Sequence, residues 1–180
     1  MGQPDDKPKP LCWGARVSPA FRNHVRLIAD RVEVDPDYLM ACMAFETGRT
    51  FDPTIRNAAG SGAVGLIQFM PSTAAALGTS SEALAALTAP EQLEFVGKYF
   101  RPNAGRLHTL SDVYMAILWP GAIGKPEGWV LFDQADAAHP KRYLQNAGLD
   151  FNHDGKITKA EATAGPARQL DAGLRPGNAA

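Results

Sequence analysis

The chain has 180 residues, 45% of them hydrophobic and 21% charged, with a formal net charge of -1. That length suffices for one domain with a real core, and the near-zero charge argues against a broad nucleic-acid or anionic-membrane surface. No apolar run reaches 18 residues, so no membrane span is expected, and the start lacks the apolar stretch of a signal peptide.

In chain order, residues 1–16 open with three prolines in the first ten positions and read as a solvated linker or N-terminal arm. Ser18-Pro19 starts a helix to about Val32, with Phe21, Val25 and Ile28 inward. Asp35 and Pro36 then suit the N-cap and first position of a second helix ending at Glu46. Leu39, Cys42, Met43 and Glu46 fall at i, i+3, i+4 and i+7, one face of that helix. A carboxylic acid therefore stands on a stripe expected to be buried. Desolvation disfavours its charged form, and a carboxyl still protonated near neutral pH can act as a general acid. Cys12 and Cys42 permit one pairing; a buried free thiol at Cys42 and a disulfide to the N-terminal arm both remain open.

Residues 50–67, rich in Gly, Asn and Ala, read as a loop with a short hairpin, and the apolar run Gly65–Met70 should pass the core edge. Short helices are expected from a Ser72 cap through Leu77, which Gly78 stops, and over Ser81–Leu87. A stronger helix spans Thr88–Phe100. Another follows a Ser111 cap from Asp112 to Leu118, where Pro120-Gly121 breaks it, and the next runs from His139 to Asn146. The fold class is thus mainly α.

Residues 150–161, DFNHDGKITKAE, fit the twelve-residue EF-hand loop pattern. Asp150, Asn152 and Asp154 offer side-chain oxygens at alternate positions, Gly155 allows the sharp turn, and Lys156 offers its carbonyl. Thr158 binds directly or through water, Glu161 closes the site with two oxygens, and Ile157 packs inward. The expected ion is calcium in a structural role. The exiting helix is expected to stop at Gly165-Pro166, leaving 166–180 as a flexible tail.

The segments Glu46-Thr47-Gly48, Phe51-Asp52-Pro53, and Gly65-Leu66-Ile67-Gln68-Phe69-Met70-Pro71-Ser72-Thr73-Ala74 together resemble the lysozyme-like soluble lytic transglycosylase family. That family has a catalytic Glu followed by Ser or Thr, then a G-L-M-Q-x-x-P-x-T-A segment; here Ile67 stands at the Met. The resemblance implies a lysozyme-like α+β fold with a small hairpin over 17–147, followed by the calcium loop over 148–165. It also implies cleavage of the β-1,4 bond between N-acetylmuramic acid and N-acetylglucosamine in peptidoglycan. Glu46 takes the acid's position, and Gln68 matches the Gln that helps hold sugar and acid. Phe69 and Met70, which follow it, are candidate substrate contacts, read as cleft wall or core. The family's later A-Y-N-x-G segment is missing; the corresponding stretch is Tyr114–Gly121, in which Tyr114 and Trp119 are the candidate sugar contacts.

Glycosidases ordinarily use two carboxylates. Residues 54–81 carry no acid, and Asp52 is the nearest in that direction. Substrate assistance by the muramic acid's own hydroxyl, or an ordered water, would each let one carboxylate suffice. The resemblance extends to phage lysins and to muramidases secreted against rival bacteria. It implies action in the target's periplasm or cell wall after delivery by a phage or a secretion system, an immunity protein as a partner, and a monomeric domain. The alternative is an inactive glycan-binding or calcium-dependent docking module.

Overall fold

A computed structural model describes residues 9–58 and 60–180. The fold is mainly helical, with one small antiparallel strand pair. Helix α1 (Pro19–Val32) starts where Ser18 accepts a hydrogen bond from the Phe21 N–H, and it buries Phe21, Val25, Ile28, Ala29 and Val32. Helix α2 (Pro36–Glu46) is capped by Asp35, which accepts from the Asp37 N–H at 2.9 Å. Its residues Leu39 to Ala44 are buried without interruption, so α2 is the central helix of the core rather than an amphipathic surface helix.

Residues 47–70 form the expected loop. Its hairpin is rudimentary, consisting of isolated bridges from Val64 to Arg56 and Phe69. Helices α3 (Pro71–Ala76), α4 (Ser81–Ala85), α5 (Ala89–Phe100) and α6 (Leu110–Leu118) follow. Two expected caps shift by two residues. The α3 helix begins at Pro71 with Met70 at the cap position, and α6 is capped by Thr109, which accepts from the Asp112 N–H at 3.1 Å. A β-region residue before the first turn is needed at a cap, and Pro71 favours that conformation at Met70. Strand β1 (Val130–Asp133) pairs antiparallel with β2 (Lys156–Thr158), with a bulge between Val130 and Phe132. Between them lies α7 (Pro140–Asn146).

The last helix corrects the sequence reading. Helix α8 runs from Lys159 to Gly173, straight through Gly165-Pro166. Proline inside a helix removes one ladder hydrogen bond and crowds the preceding turn. Both residues are nevertheless buried, because Gly165 is where α8 meets α2: a Cβ there would overlap the Phe45 ring. The glycine permits close helix contact instead of ending the helix. Residue 165 is thus the middle of an element, not the border of a tail.

The N-terminal arm is likewise structured from Lys9 on; residues 1–8 of the expected linker lie outside the described residues. Leu11, Cys12, Trp13 and Gly14 are buried. The Leu11 N–H donates to the Ala180 carbonyl at 2.8 Å, and the Ala15 N–H to Asn178 at 2.9 Å. The Trp13 indole donates to the Gln169 carbonyl at 2.9 Å, and the Cys12 N–H to Asp37 at 2.8 Å. Residues 173–180 are therefore zipped to 11–15 rather than free. Cys12 and Cys42 are buried free thiols, and burial pushes Cys12 up to about 12. One hydrophobic cluster runs from Leu11 to Ala162 and takes in Ile157 of the 150–161 loop. Among the described residues no helix is long and apolar enough to cross a membrane.

Candidate active site

Glu46 closes α2 at the point where that buried helix reaches the surface. Its side chain is partly buried, and desolvation raises its carboxyl to about 7. Among the described residues it makes no hydrogen bond or ion pair, so nothing opposes that rise. Its α2 neighbour Cys42 and the phenols of Tyr99 on α5 and Tyr114 on α6 are near enough that the Glu46 charge raises them further, after burial has done most of the work.

The two tyrosines are held differently. Tyr99 donates its hydroxyl to the Ala116 carbonyl at 2.6 Å, tying α5 to α6. Tyr114 is buried and stands edge-on to Phe45 with ring centroids 5.6 Å apart; its hydroxyl has no hydrogen-bond partner among the described residues. Of the expected sugar contacts, Tyr114 is the one the fold brings beside Glu46.

Gln68 sits in the left-handed region at φ 52° and spends its amide N–H groups on the loop itself. Nε2 donates to the Gly65 carbonyl at 3.0 Å and the Ile55 carbonyl at 3.2 Å. It locks the loop's shape and makes no hydrogen bond to Glu46. Phe69 is core: it is fully buried against Tyr99, centroids 6.1 Å apart, as Leu66 and Ile67 before it are buried. Met70 is 45% exposed and remains available to a ligand. Trp119 packs edge-on against Phe132, and the Arg142 guanidinium lies 5.1 Å over its ring. A sugar stacking on that face would have to displace Arg142.

Two residues that sequence reasoning missed hold this site together. Gln92 is fully buried and staples the active-site loop to α4 and α5. Its Oε1 accepts from the Leu66 N–H at 2.7 Å, and its Nε2 donates to the carbonyls of Pro53 and Leu84 at 3.0 and 2.9 Å. Gly65, at φ +83°, leaves room for that side chain. No local signal in the sequence marks the Gln92 amide or the Tyr99 phenol as a staple between distant elements. Asp52 is no partner for Glu46 in the proton economy: it is exposed and folded onto Thr54, whose hydroxyl and N–H hold its carboxyl below the usual range. A separate pocket of about 450 Å³ between α1 and α5, lined by Ile28, Arg31 and Lys98 among others, does not include Glu46.

The loop 150–161 turns at its central glycine and leads into β2. Gly155 adopts φ +80°, and Lys156–Thr158 form β2. Asp150, Asn152 and Asp154 turn their oxygens onto the loop's own N–H groups, and the Tyr143 hydroxyl donates to Asp150 at 2.7 Å, holding that carboxyl low. Glu161 caps α8 through Oε2 in a capping box with Thr158, while its Oε1 is buried without a partner. Among the described residues, no three acidic, His or Cys side chains are gathered as a metal-holding group. The donor chemistry nonetheless fits calcium: oxygen ligands alternate along the loop, and a buried carboxylate oxygen calls for a positive partner.

The loop is tied to the site through α8. Lys159 is buried, with Nζ 2.6 Å from Asp112 Oδ1 and 2.8 Å from the Lys125 carbonyl. Burial alone would raise Asp112, but the Lys159 ammonium and the Gly124 N–H at 2.8 Å outweigh it and hold the carboxyl low. Asp112 is two residues before Tyr114.

The family model of the transglycosylase SLT domain matches residues 24–116, just over half of the chain, from α1 almost to the end of α6. Glu46, Gln68, Gln92, Tyr99 and Tyr114 all lie inside the matched stretch; the 150–161 loop and α8 lie beyond it. A search of curated proteins finds no match.

Proposed function

The chain belongs to the transglycosylase SLT family, whose lysozyme-like members cleave peptidoglycan, and from that premise we propose that it is a muramidase with Glu46 as general acid. The observation that carries the reading is a carboxyl raised to about 7 by burial alone, beside Tyr114 and with no partner to ionise it. The bond cut is the β-1,4 link between N-acetylmuramic acid and N-acetylglucosamine, the substrate class of the family.

The chemistry follows from that proton. Protonated Glu46 gives it to the glycosidic oxygen as the bond from C1 breaks, leaving an oxocarbenium-like muramyl centre and a desolvated carboxylate. The carboxylate, poorly solvated, then takes a proton back from whichever hydroxyl attacks C1. Water yields a reducing end, and the muramyl C6 hydroxyl yields a 1,6-anhydro end. Either route restores protonated Glu46 and needs no second carboxylate, in accord with Asp52 being tied to Thr54. Tyr114 borders the acid, and Gln68 keeps its own loop in shape through the Gly65 and Ile55 carbonyls.

Calcium at 150–161 would be held by Asp150, Asp154 and Glu161, the Asn152 and Thr158 side chains, and the Lys156 carbonyl. When bound it supplies charge neutralisation to a carboxylate-rich turn. The residues of that turn hold α8 in register, and α8 holds Phe45 and Asp112.

The deciding experiment is digestion of purified sacculi followed by mass analysis of the soluble fragments. Muropeptides with reducing or anhydro muramic ends are expected from the wild type and none from Glu46→Gln. Fragments released equally by both proteins would overturn the assignment.

A further inference from the structure

Immediately after Glu46 the chain forms a second feature that the general acid does not explain. Arg16, Gly48, Arg49 and Thr50 line a pocket of about 420 Å³. Arg49 is three residues past Glu46, so their Cα atoms are no more than about 11 Å apart. Its backbone is fixed in the left-handed region at φ 70°, and its guanidinium lies 6.0 Å over the ring of buried Trp13. Arg16 comes from the N-terminal arm, three residues past that same tryptophan.

Neither arginine has an acidic partner among the described residues. Asp52, the nearest acid that follows, is occupied by Thr54. The other donors of the pocket are spent as well: the N–H groups of Gly48, Arg49 and Thr50 bond to carbonyls of Phe45, Ala44 and Thr47, and the Thr50 hydroxyl donates to Thr47. What the pocket offers a ligand is therefore two guanidinium forks, a geometry matched to carboxylate.

Resting on the muramidase reading, we propose that Arg16 and Arg49 form a carboxylate-binding subsite for the peptide stem that muramic acid carries next to the scissile bond. A muramyl strand presents two chemistries, neutral sugar and a peptide with free carboxylates. Glu46 and Tyr114 address the first, and the arginine pair addresses the second. The enzyme then distinguishes strand with free peptide carboxylates from strand without them.

The test compares intact peptidoglycan with the same material whose peptide carboxylates are capped as methyl amides, using wild type, the double variant Arg16→Gln/Arg49→Gln, and Arg16→Lys/Arg49→Lys. Loss of a charge-assisted contact should raise KM on intact material about tenfold for the Gln variant, with kcat unchanged. The Lys variant, which keeps charge but not the fork, should recover part of that. On capped material all three proteins should share one KM, close to that of the Gln variant on intact material. Arg49 also stands at the C-terminal end of α2, where a cation offsets the helix dipole; if that is its whole role, the variants change on both substrates alike, which overturns the subsite. Equal KM for every protein on both substrates overturns it too. If the wild type releases fragments from neither substrate while melting cooperatively, the muramidase reading itself fails, and the subsite with it.

Discussion

Gly165 of α8 lies against the ring of Phe45, the residue immediately before Glu46. The helix that leaves the 150–161 loop thus packs one position away from the proposed acid, with only the Phe45 ring between Gly165 and α2. Gly165→Ala inserts a methyl group into that contact and should destabilise the protein by about 1–3 kcal/mol, despite alanine's better helix propensity. Urea unfolding measures this directly. Unchanged stability would mean α8 slides freely on α2.

Glu46→Gln should remove lysis and, above pH 7, stabilise the fold. The wild-type carboxyl titrates at about 7 when folded, against 4.5 ordinarily. Between those values the unfolded chain has lost a proton that the folded one retains, so stability falls as pH rises through this window and stays low above it. At 1.36 kcal/mol per unit the penalty approaches about 3 kcal/mol, less whatever cleft water screens. The variant lacks this penalty. Melting curves of the two proteins should converge below pH 4 and separate above pH 7, with the variant higher; curves parallel at all pH values would place Glu46 in water.

Calcium should raise the melting temperature of the wild type saturably, since an ion that binds only the folded state at a hundred times its Kd adds about 2.7 kcal/mol. A chelator should reverse the gain, and Asp150→Ala should be blind to both. The reading of 150–161 as a calcium loop does not survive a wild-type melting curve that ignores calcium.

Lys159→Met should cost about 3–5 kcal/mol, because it leaves the Asp112 carboxylate buried and unpaired. Adding Asp112→Leu should recover most of that, since an apolar pair of similar volume replaces two desolvated charges. A double variant no more stable than Lys159→Met would show that Asp112 is needed for the Gly124 loop rather than for the lysine.

What sequence shows clearly here is what local chemistry decides. Ser18 and Asp35 cap the helices that follow them, Gly155 turns the loop where the pattern needs it, and Glu46 stands at the end of a helix too apolar to be on the surface. What it hides is decided by partners far along the chain. Gly165-Pro166 reads as a stop until Phe45 arrives to fill the space above the glycine. Phe69 reads as cleft wall or core because its motif borders the cleft, and the left-handed turn at Gln68 sets it inward onto Tyr99. Gln92 shows nothing locally; only the loop from Pro53 to Leu66 gives its amide a task.

The pairing of Leu11 with Ala180 has a mechanical consequence. Anything joined before residue 11 and anything joined after residue 180 would leave the domain from one spot. Tension between two such attachments would act on the 11–15 and 173–180 zipper first, opening its hydrogen bonds one after another. Part of the load would pass from Cys12 to Asp37 at the first turn of α2, the end of that helix opposite the acid.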